Sequence, residues 1–255
     1  MKTLPYLREI SLKNEKIEHW NNYPFTIPAI RSIDHLPFSP EVTFFIGENG
    51  SGKSTLLEAI AVAMGFNPEG GTKNFNFGTR ESHSALHQFL RLVKSIRKPA
   101  DGFFLRAESF FNVATNIEQL DNEGGGPPII DAYGGTSLHE QSHGESFLSL
   151  ILNRFWGKGL YILDEPEAAL SPARQLTVLS RMNQLIQKES QFIIATHSPL
   201  LMAYPGALIY HFTDSGIESV NYEETEHYQI TRSFLANPDR MLRELFEDNQ
   251  YNTIP

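Results

Sequence analysis

Gly47-Glu48-Asn49-Gly50-Ser51-Gly52-Lys53-Ser54-Thr55, preceded by Val42-Thr43-Phe44-Phe45-Ile46, decides the fold. The short, nearly all-apolar run suits a strand buried in a parallel sheet. The glycines then let the backbone curl, because glycine reaches positive φ at little cost. Lys-Ser-Thr opens a predicted helix over 54–64. Gly-x-x-x-x-Gly-Lys-Ser/Thr between a strand and a helix is the phosphate-binding P-loop. Its N–H groups face an anion at a helix N-terminus, where the dipole also favours negative charge. Lys53 would reach β- and γ-phosphates, and the Ser54 hydroxyl would bind Mg²⁺.

Outward from this loop, apolar strands alternate with helices. Strands are expected at 7–12, 102–105, 161–163, 191–195 and 207–212. Helices are expected at 84–97, 147–155, 172–187 with Ser171 as N-cap, and from Pro238 onward with Asn237 as cap. Loops are expected at 65–83 and, rich in Gly and Pro, at 121–128. Pro24, Pro28, Pro37 and Pro40 forbid a long helix near the N-terminus. Alternation of this kind implies an α/β domain with a largely parallel central sheet.

Composition narrows the class. The chain has 255 residues, 40% of them hydrophobic, enough for one large domain. It has no cysteine, so disulfides, thiolate zinc sites and a cysteine nucleophile are excluded, and a reducing cytoplasm is the expected home. No apolar run approaches the length of a membrane span, so direct membrane insertion is not expected, and Met1 to Glu15 is too polar for a signal peptide. A net charge of −9 disfavours nucleic-acid binding through bulk charge, but not through a local basic patch.

Three further segments carry chemistry. Gly159-Leu160-Tyr161-Ile162-Leu163-Asp164-Glu165 is an apolar strand ending in two acids. In a P-loop enzyme Asp164 would hold Mg²⁺ and Glu165 would polarise the attacking water. Gln191 to Ala195 is an apolar strand followed by Thr196-His197-Ser198. A histidine there lies on the sheet edge where ligands bind in open α/β folds, and could donate to a γ-phosphate. Read locally, a structural loop histidine fits as well. Gln141-Ser142-His143-Gly144-Glu145 precedes a helix, which makes an anion site or an ordinary helix start.

Together these segments resemble the ATP-binding-cassette (ABC) ATPases over about residues 40–212. The order is P-loop, a Ser-x-Gly-Glu signature, an Asp-Glu Walker B element and a switch histidine. Ser142 precedes Asp164 by 22 residues, and His197 follows it by 33, both similar to the spacing in ABC heads. The phrases Leu163 to Pro172 and Ala195 to Pro199 look closest to soluble ATPases related to SMC and RecF-type heads. The resemblance implies one ABC-type domain with a small helical subdomain carrying the signature. Its parts would be an N-terminal β region (1–41), a P-loop part (42–100), a helical signature part (101–157), a Walker B and histidine part (158–212) and a helical tail (213–255). It implies Mg-ATP as cofactor and Glu165 and His197 as catalytic. It also implies an ATP-dependent homodimer in which Ser142, His143, Gly144 and Glu145 meet the γ-phosphate of the other subunit. Ala168 to Ser171 would face that subunit.

The pattern departs from the family at several positions. His143 stands where a first signature glycine is usual, and histidine tolerates positive φ better than most side chains. Ser171 replaces the usual acid. No Q-loop glutamine is evident, and Glu108 is the stand-in as a further metal ligand. Trp20, Tyr23 and Phe25 offer aromatics for adenine, although such residues more often pack in a core.

A soluble ATP-driven switch acting with a protein partner, or on nucleic acid, is the expected function. The alternative is the ATP-binding subunit of a membrane ABC transporter. Transporter subunits typically follow the signature with a Gln/Arg-rich helix, whereas Ser146-Phe147-Leu148-Ser149-Leu150 is not basic. Arg91, Lys94, Arg97 and Lys98 recur at helical spacing and could track phosphates, or be a solvated face.

Overall fold

The central strands alternate their side chains between two cores, so both sheet faces are dry. Phe45, Leu160, Ile162 and Ile193 enter one core, while Phe44, Ile46, Tyr161, Leu163, Phe192 and Ile194 enter the other. A period of two with apolar residues on both faces is the mark of a covered parallel sheet. The computed structural model describes residues 5–73, 84–107, 110–123 and 128–251.

The strands are β1 (Leu7–Leu12), β2 (Leu36–Pro37), β3 (Val42–Gly47), β4 (Leu90–Lys94), β5 (Asp101–Arg106), β6 (Gly159–Asp164), β7 (Gln191–Ala195), β8 (Leu208–Thr213) and β9 (Gly216–Val220). The helices are α1 (Pro28–Arg31), α2 (Lys53–Ala63), α3 (Leu86–Phe89), α4 (Phe110–Glu123), α5 (His143–Ser149), α6 (Pro172–Gln187), α7 (Pro199–Met202), α8 (Glu226–Ala236) and α9 (Pro238–Tyr251). Six strands form the central sheet in the order β5-β6-β7-β3-β8-β9, parallel except for β9. A small antiparallel sheet, β2-β1-β4, covers one face with α2 beneath it. Helices α4, α5 and α6 cover the other. Gln191 ties the two sheets: its buried amide accepts from Leu7 N at 3.0 Å and donates to Leu7 O and Ser39 O at 2.8 and 2.9 Å.

Parallel register brings the chemistry to one edge. Asp164 pairs with Ala195, and Ala195 with Phe45. The loops after β3, β6 and β7 therefore leave the sheet side by side at its C-terminal edge, where open α/β sheets bind ligands.

Four expectations need correction. Residues 84–97 are not a helix: α3 is a single turn, and the chain then pairs as β4 with β1, Leu12 opposite Leu90 and Ser11 opposite Arg91. Leu86, Phe89, Leu90 and Val93 satisfy helical spacing, but the open edge of β1 supplies backbone partners that a helix would forgo. The basic face disappears with the helix. Arg91 pairs with Glu15 at 3.1 Å, and Arg97 makes a bidentate pair with Glu189 at 3.0 and 2.7 Å. The helix expected at 147–155 starts earlier, at His143, and passes into a π-helical turn at Leu150–Arg154. Helix α4 runs to Glu123, into the segment read as a loop from Asp121. The segment read as a helical tail contains β9, a hairpin strand on β8. Glu108, the stand-in ligand, lies outside the described residues.

Candidate functional site

The P-loop is built around two tight glycine positions. Gly47 has φ of 137°, and a Cβ there would sit 2.4 Å from the carbonyl oxygen of Phe212 on β8. Gly52 has φ of 100° and caps α2, and a Cβ there would meet Ile27 at 2.9 Å. Neither approach leaves room for a side chain.

Lys53 follows, buried, with Nζ donating to Gly47 O at 2.7 Å and Glu48 O at 2.8 Å. Burial pushes its ammonium pKa down, while the carboxylates of Glu165, Asp164 and Glu48 push it up. Ser54 donates through Oγ to Asp164 Oδ1 at 2.9 Å. The hydroxyl and the carboxylate thus stand together, and hard oxygen donors of this kind suit Mg²⁺. Behind them Arg106 pairs with Glu58 at 2.6 Å, with its Nε 3.8 Å from Asp164 Oδ2.

Glu165 occupies the left-handed region, with φ of 50° and ψ of 53°. Its amide donates to Ala195 O at 2.9 Å, which holds the turn against β7. The carboxylate is half-exposed, and Oε1 lies 3.8 Å from His197 Nε2. The amide of His197 donates to Glu167 Oε1 at 2.5 Å, so the acid of the following turn fixes the histidine loop. The other nitrogen of that ring, Nδ1, lies 3.3 Å from Nε2 of His227 on α8.

Gly47, Glu48, Asn49, Glu165 and His197 line one cleft of about 510 Å³. Its far wall is α8, through Glu226, His227, Ile230 and Thr231. Sequence reasoning missed α8. Thr225 followed by Glu226 is a helix-start signal, and the Thr225 hydroxyl does accept from Tyr228 N at 3.3 Å. Nothing in that signal places the helix over a P-loop.

Ser142, His143, Gly144 and Glu145 do not line this cleft. They open α5, where Glu145 accepts from the amide and hydroxyl of Ser142 at 3.1 and 2.6 Å. These bonds, the hydroxyl's first, hold the Glu145 carboxyl below its usual range. His143 is the first helical residue and needs no left-handed backbone, so its tolerance of positive φ is not used. Gly144 packs on the turn after Glu165, where a Cβ would meet Ala169 O at 2.5 Å. Ser171 caps α6, accepting from Arg174 N at 3.5 Å. Of the three upstream aromatics, Phe25 is buried and Trp20 packs edge-on against it. Tyr23 is 65% exposed and bonds through its hydroxyl to Thr55 Oγ1 at 3.1 Å.

A family described as "AAA domain" matches residues 16–133, and one described as "AAA domain, putative AbiEii toxin, Type IV TA system" matches 131–203. A "putative ABC transporter ATP-binding protein" of Caldanaerobacter subterraneus is 28% identical over 196 residues, covering 69% of this chain and 77% of that protein. Among solved structures, CbiO1 of Clostridium perfringens, part of the ABC transporter complex CbiONQ, aligns over 96% of this chain and 100% of its own. Its TM-score is 0.53 at 17% identity, a likeness of fold. An SMC head domain from Thermotoga maritima aligns over 84% of this chain and 99% of its own, at 14% identity and a TM-score of 0.46. No helix among the described residues is long and apolar enough to cross a membrane. A P-loop and an Asp-Glu strand end on a sheet of this order, matched in sequence to two AAA-domain families and an ABC ATP-binding protein and in fold to CbiO1, make the chain similar to ABC-type P-loop ATPase heads.

Proposed function

We propose that two copies of this chain close head to tail around two molecules of Mg-ATP, and that hydrolysis reopens them to switch a bound partner. Lys53 holds the β- and γ-phosphates. Ser54 and Asp164 hold Mg²⁺, which when bound neutralises charge on the phosphates. Glu165 polarises the attacking water, and His197 donates to the γ-phosphate. Tyr23, the exposed aromatic beside α2, offers its ring to the adenine.

One observation carries the dimer. The P-loop, Glu165 and His197 share a cleft, while the Ser142 signature stands outside it, on a helix packed behind the Ala169 turn. A second copy is the natural source of a signature for this cleft. Glu165→Gln, which slows hydrolysis and spares binding, is expected to accumulate as a dimer with saturating Mg-ATP in light scattering. A monomer under those conditions would sink the sandwich.

The name of the Caldanaerobacter relative favours a second reading, the ATP-binding subunit of a transporter. Pull-down with Glu165→Gln and ATP separates the two. Recovery of a membrane permease supports the transporter subunit; a soluble protein, or one lost on nuclease treatment, supports the switch.

A further inference from the structure

Helix α8 brings a second imidazole to the cleft. His227 Nε2 lies 3.3 Å from His197 Nδ1, with the ring centroids 5.5 Å apart. The two residues are tethered through the chain as well. Tyr222, just before α8, donates through its hydroxyl to Pro199 O at 2.9 Å, two residues past His197. The buried Thr225 donates to Tyr222 O at 2.7 Å and caps the helix. Helix α8 is therefore anchored to the loop that carries His197.

A hydrogen bond between two neutral imidazoles has a direction. One ring nitrogen of each carries the proton, and the partners decide which. His227 is kept neutral because burial, and next the nearby His197, hold its pKa below the ordinary value. Its Nδ1 is buried without a hydrogen-bond partner among the described residues, and so is Nε2 of His197. Either direction of the bond therefore leaves one outer N–H unpartnered, and the charges facing the two outer nitrogens decide between them. The surroundings of His197 give the direction. Its Nε2 points at the Glu165 carboxylate, 3.8 Å away, and a proton there is attracted rather than repelled.

We infer that His227 is a positioning residue: its Nε2–H donates to Nδ1 of His197 and fixes the tautomer in which the Nε2–H of His197 faces the phosphate. The reversed tautomer would present a lone pair to an anion. The inference rests on the reading of His197 as the γ-phosphate donor, and the test keeps the two apart.

Steady-state ATPase assays compare the full-length protein with His197→Ala, His227→Phe, His227→Gln and the His197→Ala/His227→Phe double variant. Phenylalanine fills the space without a donor, and glutamine places an N–H near the position of Nε2. His227→Phe is expected to lower kcat by roughly tenfold to a hundredfold with KM little changed, the usual cost of losing a group that orients a working imidazole. His227→Gln should recover most of that loss, and the double variant should be no slower than His197→Ala. Wild-type turnover in His227→Phe, or equal losses in the two His227 variants, overturns the inference. Wild-type turnover in His197→Ala overturns the underlying reading instead. In the unmutated protein, ¹⁵N spectra of the histidine side chains should show His197 Nδ1 bare and Nε2 protonated; the opposite pattern overturns the inference without any variant.

Discussion

The P-loop and the loop at Ser142 are held in place in different ways. The P-loop is closed by bonds within its own neighbourhood: Lys53 to two loop carbonyls, Ser54 to Asp164, and Gly47 against Phe212 O. The signature is closed on itself. Ser142 bonds to Glu145, and Glu145 reaches Arg174 at 3.4 Å, all on the surface. Burial fixes the first loop against its own sheet, whereas exposure leaves the second free to meet something else. On the proposed dimer, the first loop holds the nucleotide and the second would meet another surface.

Three substitutions test this division of labour. Ser142→Arg should remove turnover by roughly a hundredfold or more, as loss of a preorganised donor to a developing oxyanion does, while the single chain binds ATP as before. Retained turnover would remove the signature from catalysis; weakened ATP binding, read by calorimetry, would mean that the two loops are not separable. Lys53→Ala should weaken nucleotide binding by about tenfold to a hundredfold, the cost of a charge-assisted bond to phosphate. Unchanged affinity would count against the P-loop's role. Tyr23→Ala sharpens the picture at the small end. Loss of one stacking ring should raise the KM for ATP by about threefold to fivefold and leave kcat alone. No change in KM would place the adenine elsewhere.

The parts legible in the sequence were those whose neighbours are near in the chain or dictated by strand period. Val42 to Gly47, Gly159 to Asp164 and Gln191 to Ala195 read as buried strands because nearly every residue is apolar. Ser171 and Asn237 read as caps because capping is local. Residues 90–94 did not, since Leu90 and Val93 fit a helix as well as a strand, and β1, far back in sequence, decided between them. His227 was out of reach for the same reason. It stands 30 residues beyond His197 with no motif around it, and only the packing of α8 over the cleft gives it meaning. Arg106 and Glu58 are a similar pair, joined by the fold across β5 and α2.

Glu165 sits in a backbone conformation that disfavours it. It is one of three non-glycine residues among those described with positive φ, and a glutamate gains nothing from that conformation. Holding it there costs about 1 kcal/mol, borne by the bond from its amide to Ala195. Glycine or asparagine would sit in the same place more easily. A selection for heat resistance alone would therefore drift away from glutamate at this position, whereas the proposed role in polarising water would hold it there.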